Sequence, residues 1–196
     1  MKFNFPSSEA YDHAAWMLGV ERNALMAIGE VESGAAGAFN SDGTPVVLFE
    51  RHIFDRLTGG RYRGARVFGA DTSWSAVSEP SPGGYGPSRV QHERLDYAAT
   101  LDRSAALRAT SWGLFQILGS NCVEAGFRDL QSFINAMYRD VDEHLRALVM
   151  FIRSNSLMLE ALREKNWAEF ARRYNGPDYQ KNRWDVKAAE AYERLK

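Results

Sequence analysis

Only one stretch of this sequence, Val46-Val47-Leu48-Phe49, reads as a β-strand, and most of what lies outside it follows a helical period. That scarcity restricts the fold to helices with a short strand or hairpin between them. Residues 8–34 pattern as two successive helices. The first carries Ala10, Ala14 and Met17 or Leu18 on one stripe and breaks at Gly19-Val20; the second runs from about Asn23 to Ser33, with Gly34 and Gly37 marking its end. Ser41-Asp42-Gly43-Thr44-Pro45 is a turn signal leading into the strand, so a small β-hairpin is expected near residues 39–50. From Gln91 onward helical patterns recur near 91–107, 130–139, 140–153, 156–174 and 179–195. On the last, Trp184, Ala188, Ala191, Tyr192 and Leu195 share one buried face. The expected class is mainly α, an α+β arrangement with a minor β component.

Between Leu57 and Val90 every period is interrupted, by glycines at 59, 60, 64, 69, 83, 84 and 86 and prolines at 80, 82 and 87. A loop this long in a compact domain is usually functional or mobile. It carries Tyr62, Trp74 and Tyr85, flat rings of the kind that stack on sugars. Five arginines and one aspartate between Arg51 and Arg66 make its start locally positive, either a solvated basic loop or an attraction for an anionic partner.

Composition mainly excludes. With 196 residues, 45% of them hydrophobic, one domain spanning 1–196 is expected. The 24 Lys and Arg against 25 Asp and Glu leave a net charge of −1, no footprint for a nucleic-acid partner. The single cysteine, Cys122, can form no internal disulfide and reads as a small buried hydrophobe rather than a nucleophile. The histidines at 13, 52, 92 and 144 lack metal-ligand spacing, and Gly83-Gly84-Tyr85-Gly86-Pro87 lacks the Lys-Ser/Thr of a phosphate loop. No metal or cofactor is expected. No secretory signal or stretch of about 20 apolar residues is found, so stable membrane insertion is not expected either.

Three features could carry chemistry. At 100° per residue, Leu25, Ile28, Val31 and Glu32 share one arc, and Glu30 points away. Glu32 is thus a carboxylate on an apolar face in the last turn of a helix, where the negative dipole end and burial both raise its pKa. A carboxyl still protonated near neutral pH is what a general acid requires. On spacing alone, a pair with a buried arginine or a cap for a neighbouring helix is the more ordinary explanation of Glu32. The second feature is Glu50, which strand alternation places on the face of Val46 and Leu48; adjacent Arg51 offers a plain salt bridge instead, and His52 either orients Glu50 or is structural. Asp42 in the same region is a turn-former. The third is Thr110-Ser111-Trp112-Gly113-Leu114-Phe115-Gln116-Ile117 together with Trp167, Phe170, Ala171 and Tyr174 leading into Asn175-Gly176-Pro177; by themselves both read as core packing and punctuation.

In combination these motifs resemble a known family. Glu32-Ser33 at a helix end, then Gly113-Leu114-Phe115-Gln116, then Tyr174-Asn175 before a final helix is similar to the motif order of goose-type lysozymes and lytic transglycosylases. Glu30-Val31-Glu32-Ser33-Gly34 followed by Leu48-Phe49-Glu50-Arg51-His52-Ile53-Phe54 more closely resembles the phage endolysin N-acetylmuramidase family, from about residue 10 to the C-terminus. Phe115 stands where the family usually has Met. The resemblance implies a lysozyme-like fold with a groove beside the hairpin. It also implies cleavage of the β-1,4 bond between N-acetylmuramic acid and N-acetylglucosamine in peptidoglycan, for bacterial lysis. Glu32 then takes the position of the catalytic acid and Glu50 is the candidate second carboxylate, while Gln116, Tyr174 and Asn175 contact the sugar or the acid. Two other outcomes stay open: a lytic transglycosylase leaving 1,6-anhydro ends, and a non-catalytic wall-binding or virion protein. A monomer is expected, with no separate wall-binding module, made in the host cytoplasm and released to the wall by a holin.

Overall fold

A computed structural model describes residues 2–33, 37–67 and 74–196. Gly34, one of the two glycines expected to end the second helix, and Gly69 of the long loop lie outside the described residues. Among these residues are nine α-helices and a three-stranded antiparallel sheet. Helix α1, Ser8–Leu18, is capped by the Ser7 hydroxyl, which accepts from the Ala10 N–H, and stops at Gly19 in the left-handed region (φ 63°). Helix α2 follows as Arg22–Ser33.

Strand β1, Val47–Phe49, falls where the sequence places it, but its partner is remote. The expected hairpin near 39–50 is reduced to one bridge, Phe39 to Pro45. The sheet grows the other way, through β2 (Thr110–Trp112) and β3 (Ile117–Leu118), with Val47 opposite Trp112 and Trp112 opposite Ile117. The Gly113–Gln116 motif is therefore a turn between strands as well as core packing: Leu114 and Phe115 are buried, and the bend is helped by positive φ at Gly113 (69°) and Gln116 (48°). Glu50 does not extend the strand. It is the N-cap of a further helix, α3, Arg51–Leu57, which the β-like Val46–Phe49 run masked in the sequence.

The long loop is better anchored than its composition implies. Asp55 of α3 is buried, accepts from Arg63 at 2.8 and 2.7 Å and from Ser78 at 2.7 Å, and Val67 N–H donates to Ser75 O at 2.9 Å. Tyr62 is no sugar platform: its ring stacks on Phe54 at 5.7 Å and its hydroxyl donates to Leu101 O at 2.8 Å.

Helix α4 spans Gln91–Arg108 with a kink at Asp102, and α5 (Leu130–Arg139), α6 (Val141–Arg153) and α9 (Trp184–Arg194) follow the sequence pattern. The amphipathic run 156–174 divides into α7 (Ser156–Arg163) and α8 (Trp167–Tyr174), because Asn166 caps a new helix by accepting from Glu169 N–H at 3.2 Å. Leu25, Ile28, Phe49, Leu114, Phe133 and Phe170 are fully enclosed in one core, each contributing about 1.5–3 kcal/mol by leaving water. As on the sequence reading, Trp184, Ala188, Ala191 and Tyr192 form the buried face of α9.

Candidate active site

The C-terminal turn of α2 carries Glu32, and what lies beneath it sets its chemistry. On the same helix Gly29 is buried, and a Cβ there would lie 2.9 Å from the Tyr11 hydroxyl and 3.2 Å from the Phe115 ring. The missing side chain lets the β2–β3 turn pack directly on α2. Below Glu32, Phe170 stacks on Tyr174 at 5.4 Å and on Trp184 at 5.6 Å, and Tyr174 and Trp184 lie 6.0 Å apart. This aromatic floor removes water from the carboxylate.

The Trp184 indole N–H donates to Glu32 Oε1 at 2.7 Å and the Asn175 side chain also favours the anion, but burial outweighs both and pushes the pKa up to about 7. No buried arginine partners Glu32 among the described residues, which removes the simplest structural explanation for it. Tyr174 lies close enough that its own pKa is pushed well above 10, by burial first and by the Glu32 charge second. Its hydroxyl donates to Phe115 O at 2.6 Å, tying the end of α8 to the β2–β3 turn.

Glu32 opens into a cavity of about 220 Å³. Strand β1 (Val47, Leu48), the turn residues Gly113 and Gln116, and Gly86 and Gln91 complete its wall. Gln116 Nε2 donates to Gly113 O at 2.8 Å, which fixes the side chain at the cavity edge. Gln91 accepts from Phe49 N–H at 3.2 Å and donates to Tyr85 O at 2.6 Å, holding the strand and the long loop on either side of the same opening. A larger cavity of about 440 Å³ between α1 and α6 is mainly apolar, with Ala10, Met17, Leu145 and Val149 in its wall.

The structure thus brings Glu32, Gln116, Tyr174 and Asn175 together. Glu50 stands next door and is not part of the cavity wall around Glu32. Its carboxylate lies 3.4 Å from His52 Nδ1 without a proper hydrogen bond, and Oε2 is buried with no hydrogen-bond partner. Burial raises its pKa, while the Tyr85 hydroxyl and then His52 draw it back down. Tyr85 adjoins Gly86 of the cavity wall, and a Cβ at Gly86 (φ 69°) would lie 2.7 Å from Trp74 Cβ. Arg51 does not pair with Glu50; it is buried and its Nε donates to Gly83 O at 3.0 Å.

The local positive charge is partly absorbed. Arg51 is buried, Arg63 is held by Asp55 at 2.7 Å while still facing solvent, and Arg66 lies 3.9 Å from Glu79; Arg56 and Arg61 are exposed as well. Among the described residues no group of three His, Cys, Asp or Glu is placed to hold a metal, and no helix is long and apolar enough to cross a membrane.

Trp184 was legible in the sequence as core, though not as a donor to Glu32. The signal was available, since a buried indole N–H needs an acceptor. The contacts of Gln91 with Phe49 and of Tyr85 with Glu50 carried no such signal, because they join segments distant in sequence.

The family model of N-acetylmuramidase matches residues 21–196. The crystal structure of Burkholderia AP3 phage endolysin matches with 37% sequence identity and a TM-score of 0.81, over 98% of this chain and 71% of that one. A search of curated proteins returned no match. The motif order, the shared helical fold with its small sheet and the extent of the family match agree: this chain belongs to the N-acetylmuramidase family.

Proposed function

We propose that this chain is a phage endolysin that hydrolyses the β-1,4 bond between N-acetylmuramic acid and N-acetylglucosamine in peptidoglycan, with Glu32 as the general acid. The observation that carries the reading is a carboxyl with a pKa of about 7, oriented by an indole N–H and facing an open cavity. With its pKa raised to about 7, Glu32 still holds near neutral pH the proton that the glycosidic oxygen must receive as the bond breaks. Bond cleavage leaves oxocarbenium-like charge on the sugar, and the Glu32 anion formed at that moment keeps the hydrogen bond from Trp184. Gln116 contacts the sugar from the turn. Asn175 steadies the carboxylate, and Tyr174 supports both the turn and the desolvated floor.

Glu50 is the proposed second carboxylate, as base or nucleophile in its ionised form. The unpartnered Oε2 and the contacts with Tyr85 and His52, which favour the anion against burial, support this role, and so does its link through Tyr85 to Gly86 of the cavity wall. A separation of about 5 Å between the two carboxyl groups at the bound sugar gives retention, and about 6.5–9.5 Å leaves space for an attacking water and inversion. Mass spectrometry of digested peptidoglycan tests the reaction: reducing muramic ends are expected, and 1,6-anhydro ends would replace hydrolysis by transglycosylation. The enzyme acts as a monomer, and gel filtration should return a mass near 22.1 kDa. Synthesis in the host cytoplasm with holin-dependent access to the wall predicts that expression without a holin leaves cells intact; spontaneous lysis would contradict that route.

A further inference from the structure

The Gly113–Gln116 turn that carries Gln116 is pinned from two sides. On one side Tyr174 donates to Phe115 O; on the other the ring of His144, in the first half of α6, is fully buried beneath it. Leu114 N–H donates to His144 Nδ1 at 3.1 Å, so Nδ1 carries no proton, and the proton on Nε2 is donated to Met137 O at 2.8 Å. The ring also fills the space under Gly113, where a Cβ would come within 2.5 Å of Nδ1. Phe39 covers its flank at 5.1 Å.

We propose that neutral His144 is the positioning residue that holds this turn in the shape that presents Gln116 to the cavity, and that its protonation releases the turn and lowers activity in acid. The proposal rests on the reading of that cavity as the sugar groove. A proton on Nδ1 replaces the acceptor with a donor facing the donor of Leu114, so the bond is lost and two N–H groups are left opposed in a buried space. The charged groups facing the ring are Lys2 from the N-terminal segment, Asp140 from the α5–α6 junction and Glu143 from the first turn of α6 itself. The two acids favour the imidazolium and Lys2 opposes it, but burial is the largest influence and places the His144 pKa below its ordinary 6.5.

The test compares kcat and KM on purified cell walls from about pH 4 to 8 for the wild type, His144→Asn and His144→Gln. The Leu114 amide resonance of the wild type is followed through the same range. Asn places Oδ1 where Nδ1 was, an acceptor that does not titrate; Gln reaches Met137 O but offers Leu114 no acceptor. His144→Asn is expected to stay within about threefold of wild-type kcat and to lose the acid step, and His144→Gln to lose about tenfold in kcat while still melting cooperatively. The wild-type Leu114 amide should shift with the same midpoint as the acid step. The proposal is overturned if that amide does not titrate, or if the Asn and Gln variants share one pH profile. The amide titration is read without catalysis and holds even if a variant fails to fold. Full activity of Glu32→Gln would instead overturn the reading of the groove, and the two failures are therefore distinguishable.

Discussion

Glu32 faces a cavity walled by β1 and Glu50 directly follows that strand; burial pushes both carboxyl groups toward the neutral form, but their surroundings differ in kind. Glu32 rests on an aromatic floor with its Oε1 fixed by Trp184 and with open space in front of it. Glu50 is enclosed by Tyr85 and His52, with Oε2 unpartnered. Desolvation alone therefore does not make an acid useful. Directed donors, the Trp184 indole and the Asn175 side chain, leave Glu32 oriented yet still protonatable, whereas Glu50 Oε2 has an unmet demand for a partner that substrate or water would supply.

The largest expected effect comes from removing the proton donor. Glu32→Gln keeps the size and the hydrogen bond from Trp184 and should lower kcat on purified walls by about 10³-fold with little change in KM. Glu50→Gln comes next, with about 10²-fold loss if its ionised form is required; wild-type turnover would reduce Glu50 to a structural cap of α3 and break the parallel between the two acids.

Trp184→Phe keeps the ring stack but removes the N–H. Because that bond favours the Glu32 anion, its loss should raise the Glu32 pKa and move the alkaline fall of activity above pH 7, with about tenfold lower kcat from the unfixed carboxyl. An unshifted alkaline limb would show that the indole does not control the acid.

The smallest effect is on stability. The folded state holds the Glu32 proton more tightly than the unfolded chain, so stability is full below pH 4.5 and declines as pH rises through about 7. Glu32→Gln escapes that decline. Its melting temperature should match the wild type near pH 4 and exceed it by several degrees above pH 7, for an upper bound of about 3 kcal/mol reduced by the partial solvent contact of the carboxylate. Glu50→Gln should shift in the same direction, and a melting curve of either variant that falls below the wild type at high pH would contradict the burial argument.

The same contrast runs through what the sequence allowed to be read. Glu32 was legible because a carboxylate at the end of an apolar helical arc is a local pattern, and its helix, its Ser33 neighbour and the buried face of α9 all follow from spacing. The partner of β1 was not legible, because Val47 pairs with Trp112 across more than sixty residues and two short strands carry little propensity of their own. Glu50 was placed at a strand end when it begins a helix, since the β-branched run before it outweighed the short Arg51–Leu57 pattern. The arginine stretch was legible only as a count: sequence gives the charges, but only the fold shows that Arg51 turns inward to Gly83 and that Arg63 pairs with Asp55. Tyr62 likewise spends its ring on Phe54.

The central claim is that Glu32 is a neutral-pH acid, and the direct measurement is a carbon-13 titration of its side-chain carboxyl in the free enzyme, set beside the pH dependence of kcat/KM. A midpoint of about 7 is expected, coinciding with the alkaline limb of kcat/KM and absent in Glu32→Gln. A midpoint near the ordinary 4.5, with the alkaline limb unchanged, would contradict it.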